Sequence, residues 1–314
     1  MPLTYPAIRV RLFERGDRLV ETIRLERGRQ SAVVSTTGGR VTGYRVGEVD
    51  VLAGREHPDL FAYRGSLLAP WPNRVPDGRW TWRGVQLQLP MNDPTGVDAA
   101  LHGLVVDAEF DVSRRTPSRV ELRHHLDPSP GYPFSLWLEV SYALTDDGLD
   151  CALTAVNDGS TDAPVGLGVH PYVAAPDLVD DLVLTLPAQT LLVTDHQWCE
   201  TGRRPVQDAG LDFRNGRRLG SLELDAGFTD LQPGPAGRIE VVLSRPDGAR
   251  VVLSSGSTCR WLLVYTGYTL PTDQWRRSIA VEPMTCPPNA LATGEIDVLP
   301  PGAALTLDWR FTLG

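Results

Sequence analysis

The chain has 314 residues, 42% of them apolar and 22% charged, the balance of an ordinary globular protein long enough to bury a large core. Its 39 acidic and 30 basic residues leave a net charge of −9, which argues against a nucleic-acid partner. No run nears the roughly 18 apolar residues of a membrane span, and with no lysine anywhere, Schiff-base chemistry and a phosphate-loop lysine are excluded.

Strand patterns run along the whole chain. Residues 7–13 alternate apolar and polar with period two, whereas the loop at 57–61 is a place for a short helical turn. Residues 79–82 and 85–89 flank Arg83-Gly84 and read as a hairpin. Residues 136–144 alternate again and run into the turn Asp146-Asp147-Gly148. A second hairpin joins 239–243 to 250–253 through Pro246-Asp247-Gly248. One of the longest apolar runs is 261–265. Thirty glycines and 26 prolines, with no sustained 3.6-residue period, leave little room for long helices. These patterns predict an all-β protein: one large antiparallel β-sandwich domain over residues 1–314, with few short helices. Cys151, Cys199, Cys259 and Cys286 form no Cys-x-x-Cys pair, and the N-terminus lacks a signal-peptide pattern, so reduced thiols in a cytoplasm are expected.

Sites in all-β proteins lie on loops and strand ends. His124 and His125 sit in a strand-like run, and His57 and His196 in polar loops where solvated histidines are common. His102 and His170 are set apart by their glycine neighbours, Leu101-His102-Gly103-Leu104 and Gly166-Leu167-Gly168-Val169-His170-Pro171-Tyr172, which imply close packing by a backbone or a ligand. Glu282 ends the apolar run 278–281 just before a proline-stiffened segment. A carboxylate there is costly unless it is paired with an arginine or used as a general base. Asn73 and Arg74 follow Trp71 in a proline-rich loop, a pairing of planar donors with an aromatic face that suits a sugar.

Asn73-Arg74 with Gly78 and Gly84, Leu101-His102-Gly103, Gly168-Val169-His170-Pro171-Tyr172 and Val281-Glu282-Pro283-Met284-Thr285 together resemble the aldose 1-epimerase (galactose mutarotase) family, in the bacterial branch with a His-Pro-Tyr motif. The resemblance implies a galactose mutarotase-like supersandwich needing no cofactor or metal. It also implies that His170 protonates the ring oxygen and Glu282 takes the anomeric hydroxyl proton. Sugar contacts would come from Arg74, His102, Asp225 (in 224–228) and Tyr172, with Asn73 supporting its loop. Two departures bear on which sugar is bound: Leu104-Val105-Val106-Asp107 where the family often has Arg and Trp, and Val173 where an aromatic commonly follows the tyrosine.

Opening a cyclic hemiacetal requires one proton to leave the anomeric hydroxyl and another to reach the ring oxygen. A carboxylate and an imidazolium facing each other across a pyranose, each favouring the other's charge, would do both. The expected partner is a small free sugar, with no nucleic acid or membrane, and the chain a monomer or homodimer. A phosphorylated or sulfonated sugar would need arginines such as Arg203-Arg204, Arg217-Arg218 or Arg276-Arg277. A non-catalytic carbohydrate-binding sandwich would bind without exchange of anomers, and a glycoside hydrolase would need two carboxylates, for which Asp225 and Glu282 are available.

Overall fold

The computed structural model describes residues 21–54, 63–195 and 199–314, together with the two short strands Glu14–Arg15 and Arg18–Leu19. The strand expected at 7–13, the turn at 57–61, His57 and His196 lie outside the described residues. Two large antiparallel sheets carry the architecture. One has nine strands, running from Asp111–Thr116 through Arg119–Leu126, Leu136–Leu144, Leu149–Asn157 and Ala304–Leu313 to Arg250–Ser255, Ile239–Ser244, Val183–Thr185 and Arg217–Arg218. The other has twelve, with Ser278–Met284 near its middle, between Trp261–Tyr265 and Tyr172–Ala174. Both expected hairpins form: Arg79–Trp82 pairs with Val85–Gln88, and Ile239–Ser244 with Arg250–Ser255. Among the described residues, helix is confined to the turns Val179–Asp181 and Ala290–Thr293.

Alternation explains the nine-stranded sheet. Leu136–Leu144 and Leu149–Asn157 bury every second side chain and leave the others partly exposed, as strands with one core face do. The central strands of the larger sheet differ, since every residue of Trp261–Tyr265 and Ser278–Met284 is buried. Leu262, Val264, Ile279 and Val281 join the core between the sheets, packed with Leu153, Leu253 and Leu307. Trp261, Leu263, Tyr265, Ala280 and Met284 form a second cluster with Tyr172 on the opposite face. A strand buried on both faces reads as a continuous apolar run, and Glu282 breaks that run on the second face.

Candidate active site

Cross-strand register places the site. Tyr172 pairs with Ala280, Ala280 with Tyr265 and Tyr265 with Asp225, so these four share one row on the second face. Two residues along, Glu282 pairs with Leu263 and Leu263 with Gly227. His170 stands beside this row because Pro171, which has no N–H to donate, interrupts the strand between Gly168–Val169 and Tyr172–Ala174. Its backbone is held on both sides, with the His170 N–H donating to Ser66 O (3.0 Å) and the Gly65 N–H donating to His170 O (2.8 Å).

His170 Nε2 lies 3.2 Å from Glu282 Oε1, and the residues are 6% and 1% exposed. The imidazole stacks on Tyr172, with centroids 5.1 Å apart and planes 16° apart, and meets His102 edge-on at 5.4 Å. Asn73 and His102 both adopt positive φ (57° and 62°) and lock together. The Asn73 N–H donates to His102 Nδ1 (3.2 Å), the His102 N–H donates to Asn73 O (3.0 Å), and Asn73 Oδ1 accepts the Arg74 N–H (2.8 Å). With Nδ1 accepting, His102 carries its proton on Nε2. Arg74 Nε donates to Asp93 Oδ2 at 2.6 Å, and that carboxylate side chain is fully buried.

The structure therefore gathers His170, Glu282, Tyr172, His102, Asn73 and Arg74, with Asp225 on the adjoining row. His170 and Glu282 do not stand apart across a sugar-sized gap, as expected from sequence; they touch. The chemistry itself explains why adjacency suffices, because the anomeric oxygen and the ring oxygen are both bonded to C1. No arginine is ion-paired to Glu282 among the described residues; its polar neighbour is the imidazole. The glycines of the 166–170 segment mark close side chains rather than a backbone. A Cβ on Gly166 would sit 2.4 Å from Cys286 Sγ, and one on Gly168 2.9 Å from Pro72 Cβ.

Electrostatics also departs from the expectation that each partner favours the other's charge. Burial dominates. It lowers His170 to about 3, reinforced by the Arg64 and Arg74 cations, and holds Glu282 well above the usual carboxylate range. Both shifts favour the neutral form of each group. Burial likewise drives His102 well below the ordinary histidine value and raises Asp225 to about 7, with Arg74 pulling the latter back down.

Sequence reasoning missed Tyr63 and Arg64. The Tyr63 ring lies edge-on to His102 at 4.6 Å, and Arg64 stacks over the Tyr172 ring at 4.8 Å while donating to Gln274 Oε1 (2.7 Å). Only the irregular, glycine-containing run Tyr63-Arg64-Gly65 hinted at them. The paired arginines serve elsewhere. Arg276, fully buried, donates to Gly220 O, Leu222 O and Asp180; Arg218 pairs with Asp181, and Arg203 with Glu200 and Glu295. His125 bonds Asp158 and Asp127 on an ordinary strand, remote from these rows, and the four cysteines are free thiols.

The aldose 1-epimerase family model matches residues 21–312. The chain is 32% identical to the uncharacterized protein YihR of Escherichia coli K12, over 89% of this chain and 88% of that protein. It is 29% identical to rat galactose mutarotase over 50% of this chain and 47% of the rat protein. Its fold is that of the aldose epimerase homologue from C. elegans (TM-score 0.83, 19% identity, 94% of this chain and 99% of that one) and of galactose 1-epimerase from Lactobacillus acidophilus (TM-score 0.80, 22% identity, 96% and 98%). With that match spanning nearly its whole length and a galactose mutarotase-like β-sandwich beneath it, the chain belongs to the aldose 1-epimerase family of isomerases.

Proposed function

We propose that the protein is a mutarotase that interconverts the α and β anomers of a free hexose, with His170 and Glu282 as its acid and base. The observation that carries this reading is the 3.2 Å contact between His170 Nε2 and Glu282 Oε1 on a buried face beside Arg74, His102 and Asp225. At rest the pair holds one proton on Glu282. Moving it across the contact gives imidazolium and carboxylate with the same proton count. A sugar favours that form, since its anomeric hydroxyl donates to the carboxylate and its ring oxygen accepts from the imidazolium. Glu282 then takes the hydroxyl proton as His170 delivers its own to the ring oxygen. The bond from C1 to the ring oxygen breaks, C1 becomes an aldehyde, and rotation before reclosure exchanges the anomers. Arg74, His102, Asp225 and Tyr172 hold the sugar, and Asn73 fixes the His102 tautomer and the Arg74 backbone.

Polarimetry on freshly dissolved α-glucose and α-galactose tests the reading. Glu282→Gln and His170→Asn are expected to fold and to lower kcat by about 10²–10⁴-fold each, the usual worth of one general acid or base. Near-native exchange by either variant defeats the assignment, and sugar binding without any accelerated exchange by the native protein makes it a binding sandwich. A hexose carrying phosphate or sulfonate is a second reading, favoured by the buried Arg64 guanidinium over Tyr172. Competitive inhibition by sulfate supports it, and indifference to sulfate removes it.

A further inference from the structure

The loop over residues 90–98 is largely exposed, yet the side chain of Asp93 within it is fully buried. Asn92 and Asp93 each grip one member of the same cross-strand pair, Leu101 and Arg74. Asn92 Oδ1 accepts the Leu101 N–H (2.6 Å) and Asn92 Nδ2 donates to Leu101 O (3.1 Å), which fixes the residue before His102. Asp93 Oδ2 accepts the Arg74 Nε–H at 2.6 Å. Its other oxygen, Oδ1, accepts from both the N–H (2.9 Å) and the hydroxyl (2.6 Å) of Thr95.

Three donors on one buried carboxylate leave it little freedom to turn. An arginine side chain is long and rotamer-rich, so an unsupported guanidinium loses entropy when a ligand fixes it. Asp93 takes that freedom away beforehand. The bond uses Nε, the inner donor of the fork, and orients the guanidinium without occupying its outer amino groups. Charge matters as well. The Arg74 cation lowers the pKa of His170, His102, Asp225 and Glu282, so its field reaches across the site. A carboxylate buried against Arg74 offsets that field where water is excluded and screening is weak.

We infer that Asp93 is a positioning residue of the proposed mutarotase, aiming the Arg74 guanidinium at the sugar and offsetting its charge. The inference rests on the proposed reading of Arg74 as a sugar contact, and it makes Asp93 act on KM without touching the substrate. An electrostatic consequence follows. Asp225, at about 7, is pulled down by Arg74 and faces Glu282 and the phenols of Tyr172, Tyr265 and Tyr268, with Arg64 across Tyr172. Removing the Asp93 charge strengthens the pull of Arg74, so Asp225 then titrates lower still.

The test measures anomer exchange by NMR, and sugar binding in a Glu282→Gln background, for Asp93→Asn, Arg74→Gln and the double variant. Asp93→Asn is expected to raise KM about tenfold, the worth of one charged hydrogen bond, and to change kcat by less than about threefold. The double variant is expected to match Arg74→Gln alone, because Asp93 acts through Arg74. Carbon-detected NMR of the Asp225 carboxyl should show its pKa falling in Asp93→Asn. Thr95→Val keeps the ion pair and removes one bond from Asp93 Oδ1, and its smaller rise in KM, about threefold, is the readout if Asp93→Asn does not fold. An unchanged KM, fold-changes that multiply in the double variant, or an Asp225 titration that stays in place overturns the inference although the mutarotase reading stands. If the native protein exchanges no sugar, that reading fails, and sugar binding together with the Asp225 titration decides the role of Asp93.

Discussion

Burial raises two carboxyl groups at this site, and each shapes a different pH response. Asp225, raised to about 7, sits on the row beside His170 and Glu282 and is half-buried. Below pH 7 it is a neutral acid able to donate to a sugar hydroxyl; above, it is a carboxylate that only accepts. KM is therefore expected to bend near pH 7, and Asp225→Asn should abolish the bend while kcat keeps its profile; an unchanged inflection in that variant removes Asp225 from sugar binding. Glu282 is raised in the same direction, so the folded state prefers its acid form. The unfolded chain ionises Glu282 as pH rises past the ordinary carboxylate value, and the folded chain resists, so native stability is lost with rising pH. Glu282→Gln carries no such penalty. Its thermal midpoint should exceed that of the native protein by a margin that widens from pH 5 to pH 8, and a constant margin would show that Glu282 is ionised in the fold. In the proposed mechanism, the His170–Glu282 pair supports kcat/KM while it holds one proton. Its acid limb should fall far below the ordinary histidine range, towards the value of about 3 set by burial of His170, and its basic limb above the ordinary glutamate range.

At the scale of elements, the His102 loop depends on one glycine. Gly103 has φ of 78°, and a Cβ there would lie 2.0 Å from Ala69 O, the same carbonyl that accepts the Leu104 N–H. Gly103→Ala is expected to cost about 2 kcal/mol or more in urea unfolding and to raise KM by displacing His102; a neutral effect on both would mean the loop has another conformation available. Such a packing demand was legible in Leu101-His102-Gly103-Leu104, as the hairpins were in their Asp-Gly and Arg-Gly turns. Alternation likewise foretold the half-buried strands of the nine-stranded sheet. What local pattern could not give was which face of Trp261–Tyr265 meets the core, because a run apolar at every position carries no period. The charge state of His170 and Glu282 was hidden for the same reason: two opposite charges favour each other on paper, and only the tertiary burial of that face reverses the outcome. Arg64 and its partner Gln274 stand 210 positions apart in the chain, so their junction over Tyr172 leaves no local mark.

At the scale of the molecule, one continuous core joins the two sheets. Leu153, Leu253, Leu307 and Phe311 of the nine-stranded sheet pack in the same cluster as Leu262, Val264, Ile279 and Val281 of the twelve-stranded one. The final strand, Ala304–Leu313, pairs with Leu149–Asn157 on one edge and Arg250–Ser255 on the other, so neither half of the nine-stranded sheet closes without the chain's last residues. From this arrangement we propose that the described residues form a single cooperative domain. Leu153→Ala and Val264→Ala each delete a fully buried side chain, one per sheet. Leu153→Ala should cost about 2–5 kcal/mol, with Val264→Ala nearer the lower end of that range. In urea, both are expected to move one common transition, followed identically by far-UV circular dichroism and tryptophan fluorescence, with the slope unchanged. If the sheets instead belonged to separately folding domains, each variant would move only its own step, and the two optical probes would part.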